Sequence, residues 1–170
     1  MEVIELLREE SRKDYKCYNL LVTLLKENSE FKKIITDGVL NGLITGYTSD
    51  IWEKIHKQNI RGIDNFEDVF RDGANIGYCT VAAKQLSYSF NNCVLCGGVV
   101  SYLENTPNCK DGSHTWLVVN GKIIDTSLMI IIDELYSKKL GYVEENRYNP
   151  MVDPFYVAAK DFTLDENLKK

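Results

Sequence analysis

The stretch His114-Thr-Trp-Leu-Val-Val-Asn-Gly-Lys-Ile-Ile-Asp-Thr126 decides how this chain is read. Asn120-Gly121 stands between two apolar runs, and Asn-Gly is the strongest short signal for a two-residue type I′ turn, both of whose central positions need positive φ. That turn sets a register: Val119 faces Lys122, Val118 faces Ile123, Leu117 faces Ile124 and Trp116 faces Asp125. His114, two residues before Trp116, shares its face and becomes the diagonal neighbour of Asp125. Diagonal Cβ atoms lie about 7 Å apart or a little less, a gap that an imidazole and a carboxylate close with their own length. A His114–Asp125 hydrogen bond is therefore expected.

Working outward, short apolar runs at Cys93–Tyr102, Thr115–Val119 and Lys122–Thr126 read as strands, with a polar loop from Glu104 to Ser113 between the first two. Leu128–Ile132 is the longest apolar run and reads as a buried strand or core segment. Upstream the period changes. From Glu2 to about Lys33, Val3, Ile4, Leu6, Leu7, Leu20, Leu21, Leu24 and Leu25 recur at helical spacing, predicting one or two amphipathic helices. Thr48-Ser49-Asp50 supplies caps for a further helix ending near Asn59, and Gly62–Gly77 reads as a loop or short helix. Ala82, Ala83, Leu86 and Phe90 then form one helical face, with Cys79 at that helix's N-terminus.

Helices first and an antiparallel sheet afterwards define an α+β chain. Its 170 residues, 44% of them hydrophobic, suit a single domain spanning 1–170, with a helical part over 1–60 and the chemistry-bearing core over 75–128. A net charge of −5 with scattered lysines argues against a nucleic-acid partner. No apolar run approaches the roughly 20 residues of a spanning helix, so no membrane partner is expected. The N-terminus lacks the basic and apolar regions of an export signal, and five cysteines then favour free thiols in a reducing, cytoplasmic setting.

A carboxylate bonded to one imidazole nitrogen fixes the tautomer, leaves the other nitrogen for a nucleophile and stabilises the imidazolium. Cys79 is the candidate nucleophile, because a helix N-terminus and an imidazolium both favour the thiolate. Its backbone N–H and the side-chain amide of Asn75 are candidate oxyanion donors. Tyr78 and Trp116 read equally well as core aromatics or as walls of a substrate site. His56 reads as a solvated helix residue.

A competing arrangement is a zinc site. Cys93-x2-Cys96 followed by Cys109-x4-His114 has the ligand types and pair spacing of a Cys₃His centre. Against it, Cys93 and Cys96 fall in a strand-like run, where residues three apart point to opposite faces.

Gly77-Tyr78-Cys79 opening a helix, a strand near Cys96-Gly97-Gly98-Val99, then His114-Thr-Trp116 and Asp125-Thr on successive strands, resembles the transglutaminase-like superfamily of the papain-like fold. The resemblance covers roughly Asn75 to Leu128. It leaves the N-terminal helices unmatched; the expected fold packs them on a small antiparallel sheet, and the resemblance implies a cofactor-independent cysteine peptidase, amidase or acyltransferase acting on a peptide or protein substrate. It further implies that Cys79 attacks a carbonyl, His114 shuttles the proton and Asp125 orients the histidine. Amine transfer of transglutaminase type, and a non-catalytic or zinc-binding interaction module, are the alternatives.

Overall fold

The computed structural model describes residues 2–8, 19–57, 79–104, 106 and 111–148. Among these, the helices are α1 (Val3–Arg8), α2 (Asn19–Glu27), α3 (Ser29–Leu40), α4 (Ser49–Lys57) and α5 (Cys79–Ser87). The strands are β1 (Ile44–Gly46), β2 (Val94–Val100), β3 (Ser113–Val119), β4 (Lys122–Asp125), β5 (Ile130–Asp133) and β6 (Tyr142–Tyr148). They form one antiparallel sheet of six strands in the order β1-β5-β4-β3-β2-β6. The chain is thus α+β.

The β3–β4 hairpin has the register that Asn120-Gly121 dictates. Asn120 has φ 51° and Gly121 φ 76°, the positive pair of a type I′ turn. Val119 pairs with Lys122, Val118 with Ile123 and Leu117 with Ile124. Both faces of this hairpin are covered: Leu117, Val118, Ile123 and Ile124 are all buried, although neighbours in a strand point to opposite sides. Double coverage explains why these strands read as continuous apolar runs.

Helix starts follow local chemistry. The Asn28 side chain accepts from the Phe31 N–H at 2.9 Å, capping α3. Thr48 Oγ1 accepts from the Ile51 N–H at 3.3 Å ahead of α4. Helix α5 turns Ala82, Ala83 and Leu86 into the core and packs on β3 and β2. The hydroxyls of Thr80 and Thr115 lie 2.9 Å apart, which fixes where its first turn sits along β3. Phe90 lies beyond the end of α5 rather than on its face.

The sheet is larger than the three runs read from the sequence. Strand β1 lies inside the part expected to be helical and pairs with β5, so N-terminal and C-terminal residues share one sheet. At three residues it is too short to display a period. Strand β6, Tyr-Val-Glu-Glu-Asn-Arg-Tyr, is exposed at five consecutive positions, because an edge strand is held by main-chain pairing to β2 and needs no apolar alternation. Of the apolar run 128–132, Leu128 and Met129 belong to the turn after β4 and only the remainder enters β5.

Candidate active site

The first two site residues sit on adjacent strands of the sheet. His114 Nε2 and Asp125 Oδ2 are 2.8 Å apart, and both side chains are buried. Asp125 ends β4 and opens a tight turn whose amides fold back on it: its Oδ1 accepts from Ser127 N–H at 2.9 Å and Leu128 N–H at 2.8 Å. Its main-chain oxygen accepts from Met129 N–H at 3.0 Å and from the Tyr47 hydroxyl at 2.6 Å. Met129 takes φ 61°, a left-handed conformation uncommon for a residue with an unbranched apolar side chain. The hydroxyl of Tyr142 completes the shell, donating to Oδ2 at 2.5 Å. Both carboxylate oxygens are therefore satisfied twice, which is what a buried charge requires.

Cys79 opens α5, and its half-buried thiol hydrogen-bonds to the His114 imidazole. Since Nε2 is committed to Asp125, Nδ1 is the ring atom left for the sulfur. The backbone of Thr115 and the hydroxyl of Thr80 also hydrogen-bond to the sulfur. His114 and Thr115 point to opposite sides of β3. Helix α5 is tied to Thr115, and its first residue meets His114 at the beginning of the strand.

These contacts polarise the site. Burial works against the Cys79 thiolate, but the hydrogen bonds and positive charge of His114, with the Thr115 and Thr80 donors, carry its pKa below the ordinary 9.0. Burial likewise opposes the His114 imidazolium, and the Asp125 carboxylate and Cys79 overcome it, raising the pKa from 6.5 to about 10. Asp125, against its own desolvation, is held below 3.8 by His114, the Leu128 amide and the Tyr142 hydroxyl. The arrangement favours a thiolate–imidazolium pair resting on a carboxylate.

Trp116 is only 2% exposed and packs between neighbours, 6.1 Å from the His114 ring and edge-on to Tyr142 at 5.1 Å and 84°. It backs the histidine ring. Asn75, Tyr78 and Cys109 lie outside the described residues.

Of the cysteines in the alternative metal site, Cys93 and Cys96 turn to different partners. Cys93 Sγ donates to the Ser87 carbonyl at 3.5 Å, and the buried Cys96 Sγ donates to Glu144 Oε1 at 2.9 Å. Burial and the Glu144 carboxylate push the Cys96 thiol far up. Among the described residues no group of three or more His, Cys, Asp or Glu side chains is arranged to hold a metal ion. A separate concavity of about 470 Å³, lined by residues including Phe90, Cys93, Val118, Glu134 and Arg147, holds none of the three triad residues. Chemistry rather than cavity size singles out Cys79, His114 and Asp125.

The sequence reading missed Tyr142, Tyr47 and the amides of Ser127 and Leu128. The last two had a signal, since Asp-Thr-Ser after a strand is suited to a side-chain-closed turn. The tyrosines had none, being brought in by β6 and β1. No protein-family model matches the chain, and no curated protein or solved structure is significantly similar to it. No helix among the described residues is long and apolar enough to cross a membrane.

Proposed function

We propose that this protein is a cysteine-dependent hydrolase or acyltransferase of papain-like, transglutaminase-type fold, cleaving an amide bond through a thioester acyl-enzyme. The observation that carries the reading is the continuous hydrogen-bonded chain from the Cys79 thiol through His114 to Asp125, with the thiol made more acidic and the imidazole more basic.

In this reading the Cys79 thiolate attacks the carbonyl carbon, forming a C–S bond while the carbonyl π electrons move to oxygen. The backbone N–H of Cys79, at the start of α5, suits that oxyanion. As the tetrahedral species collapses, the C–N bond breaks and the imidazolium gives its Nδ1 proton to the departing amine, leaving a thioester and neutral His114. Water then attacks the thioester, His114 takes one of its protons, and the C–S bond breaks to return thiolate, imidazolium and carboxylic acid. An amine in place of water yields a new amide by the same steps.

The test is the rate of alkylation of Cys79 by iodoacetamide at neutral pH, located by peptide mapping, together with mass-spectrometric trapping of an acyl-enzyme from an activated ester. Labelling of Cys79 well above the rate of a model thiol, abolished trapping in Cys79→Ala and reduced labelling in His114→Ala are expected. Labelling no faster than a model thiol refutes the reading.

A further inference from the structure

We infer that Tyr142 is a positioning residue of this site, its hydroxyl sharing the one Asp125 oxygen that holds His114 and thereby setting how strongly the carboxylate pulls on the imidazole. The inference deepens the cysteine-enzyme reading and rests on it for its catalytic meaning. Its geometry stands independently.

Tyr142 begins β6, and β2 and β3 lie between β6 and β4 in the sheet. Its side chain nevertheless reaches Asp125 Oδ2 at 2.5 Å, where His114 Nε2 is also bound at 2.8 Å. The other oxygen is occupied by the Ser127 and Leu128 amides, so the carboxylate cannot swing to serve the two donors separately. The ring alone accounts for the packing: it meets Trp116 edge-on and stands 6.5 Å from the His114 ring at 61°. A phenylalanine would do this equally well. What the phenol adds is a donor aimed at one atom.

That donor is permanent. Burial and the Asp125 charge keep the Tyr142 phenol protonated well beyond its ordinary range. Among the described residues, the titratable groups gathered on His114 and Asp125 are Cys79 from α5, Tyr142 from β6 and Tyr47 after β1, whose hydroxyl goes to the Asp125 main-chain oxygen. Tyr142 is the one among the described residues that shares Oδ2 with His114. A hydrogen bond to a carboxylate oxygen withdraws charge from it, so the phenol weakens that oxygen as an acceptor from Nε2. The imidazolium is kept acidic enough to release its Nδ1 proton to a leaving group, and an over-basic histidine would hold it.

The experiment is an NMR titration of the His114 imidazole in the full chain, His56 being the other histidine and assigned with a His56→Gln variant. In Tyr142→Phe the His114 midpoint should rise by about half a unit or more, because Oδ2 is left to His114 alone. Replacing Tyr142 by a fluorinated tyrosine, a stronger donor of the same shape, should move the midpoint down, and this arm stands if the phenylalanine variant fails to fold. An unchanged midpoint in either folded variant overturns the proposal. The titration does not depend on turnover. A shifted midpoint with Cys79 labelled no faster than a model thiol would sink the enzyme reading and keep the Tyr142 geometry, whereas rapid labelling with an unmoved midpoint would do the reverse.

Discussion

His114 Nε2 lies 2.8 Å from Asp125 Oδ2, and each is the other's charge partner in a place with almost no access to water. Neither is independent of the hairpin that joins them. A carboxylate this deeply buried is tolerable only while it is paired and fully hydrogen-bonded, so chemistry and stability are coupled at the same atoms.

Asp125→Asn should separate the two. The amide keeps the shape and can still accept from the Ser127 and Leu128 amides, but it removes the charge that raises His114. Acylation of Cys79 is expected to slow by about 10²- to 10⁴-fold with the fold retained. Asp125→Ala should in addition lose about 3–5 kcal/mol in urea unfolding, as expected when one member of a buried pair is removed. Unaltered acylation in Asp125→Asn would show that the carboxylate has no part in the chemistry.

The pH dependence of alkylation follows from the Cys79 contacts. Thiolate is present above the lowered Cys79 pKa, so the wild-type rate should rise along a sigmoid with its midpoint below 9.0. In His114→Ala the desolvation of the thiol is left with only the Thr115 and Thr80 donors against it, and the midpoint should move up. Stopped-flow labelling across pH measures both.

Stability should show two opposing trends. His114, raised from 6.5 to about 10, contributes stability fully present below 6.5 and lost as pH rises through about 10. Cys79, depressed from 9.0, contributes stability present above 9.0 and lost as pH falls through its lowered value. Below 9.0, where the range between the lowered Cys79 pKa and 9.0 overlaps that of His114, the two offset each other and flatten the wild-type curve. Cys79→Ala removes the rising contribution, so its unfolding free energy should fall more steeply over that window. Parallel curves for the two proteins would contradict the coupling.

Gly98→Ala tests the seam between β2 and β6. Gly98 pairs with His114 on one side and with Glu144 on the other, where the register shifts, and an added Cβ would run into the Val143 carbonyl oxygen. A loss of roughly 1–3 kcal/mol is expected from this overpacking. The strand carrying Tyr142 would be displaced with it, so acyl transfer should decline more than the unfolded fraction explains.

Gly121→Val tests the turn. A β-branched residue at φ 76° should cost about 1–2 kcal/mol in denaturant unfolding. In the protein that remains folded, the alkylation midpoint of Cys79 should stay where it was.

The hairpin and the His114–Asp125 pair were legible because they are local. Eleven residues separate the two, the turn type follows from Asn120-Gly121, and a period of two does the rest. The core face of α5 was legible for the same reason, as a 3.6-residue period. Strands β1 and β6 were not, since a three-residue strand carries no period and an exposed edge strand carries no apolar alternation.

What the sequence by itself determined is therefore the register of one hairpin, the charge partner of His114 and the position of Cys79 at a helix start. Only the tertiary structure brought the Cys79 thiol to the remaining nitrogen of His114, buried Trp116 behind it, and carried the Tyr142 and Tyr47 hydroxyls to Asp125. The physical reason is sequence separation. Local geometry propagates over a few residues, whereas a contact such as Cys79 with His114, or Tyr47 with Asp125 at a separation of 78, exists only once the sheet has assembled its strands in an order the chain does not display.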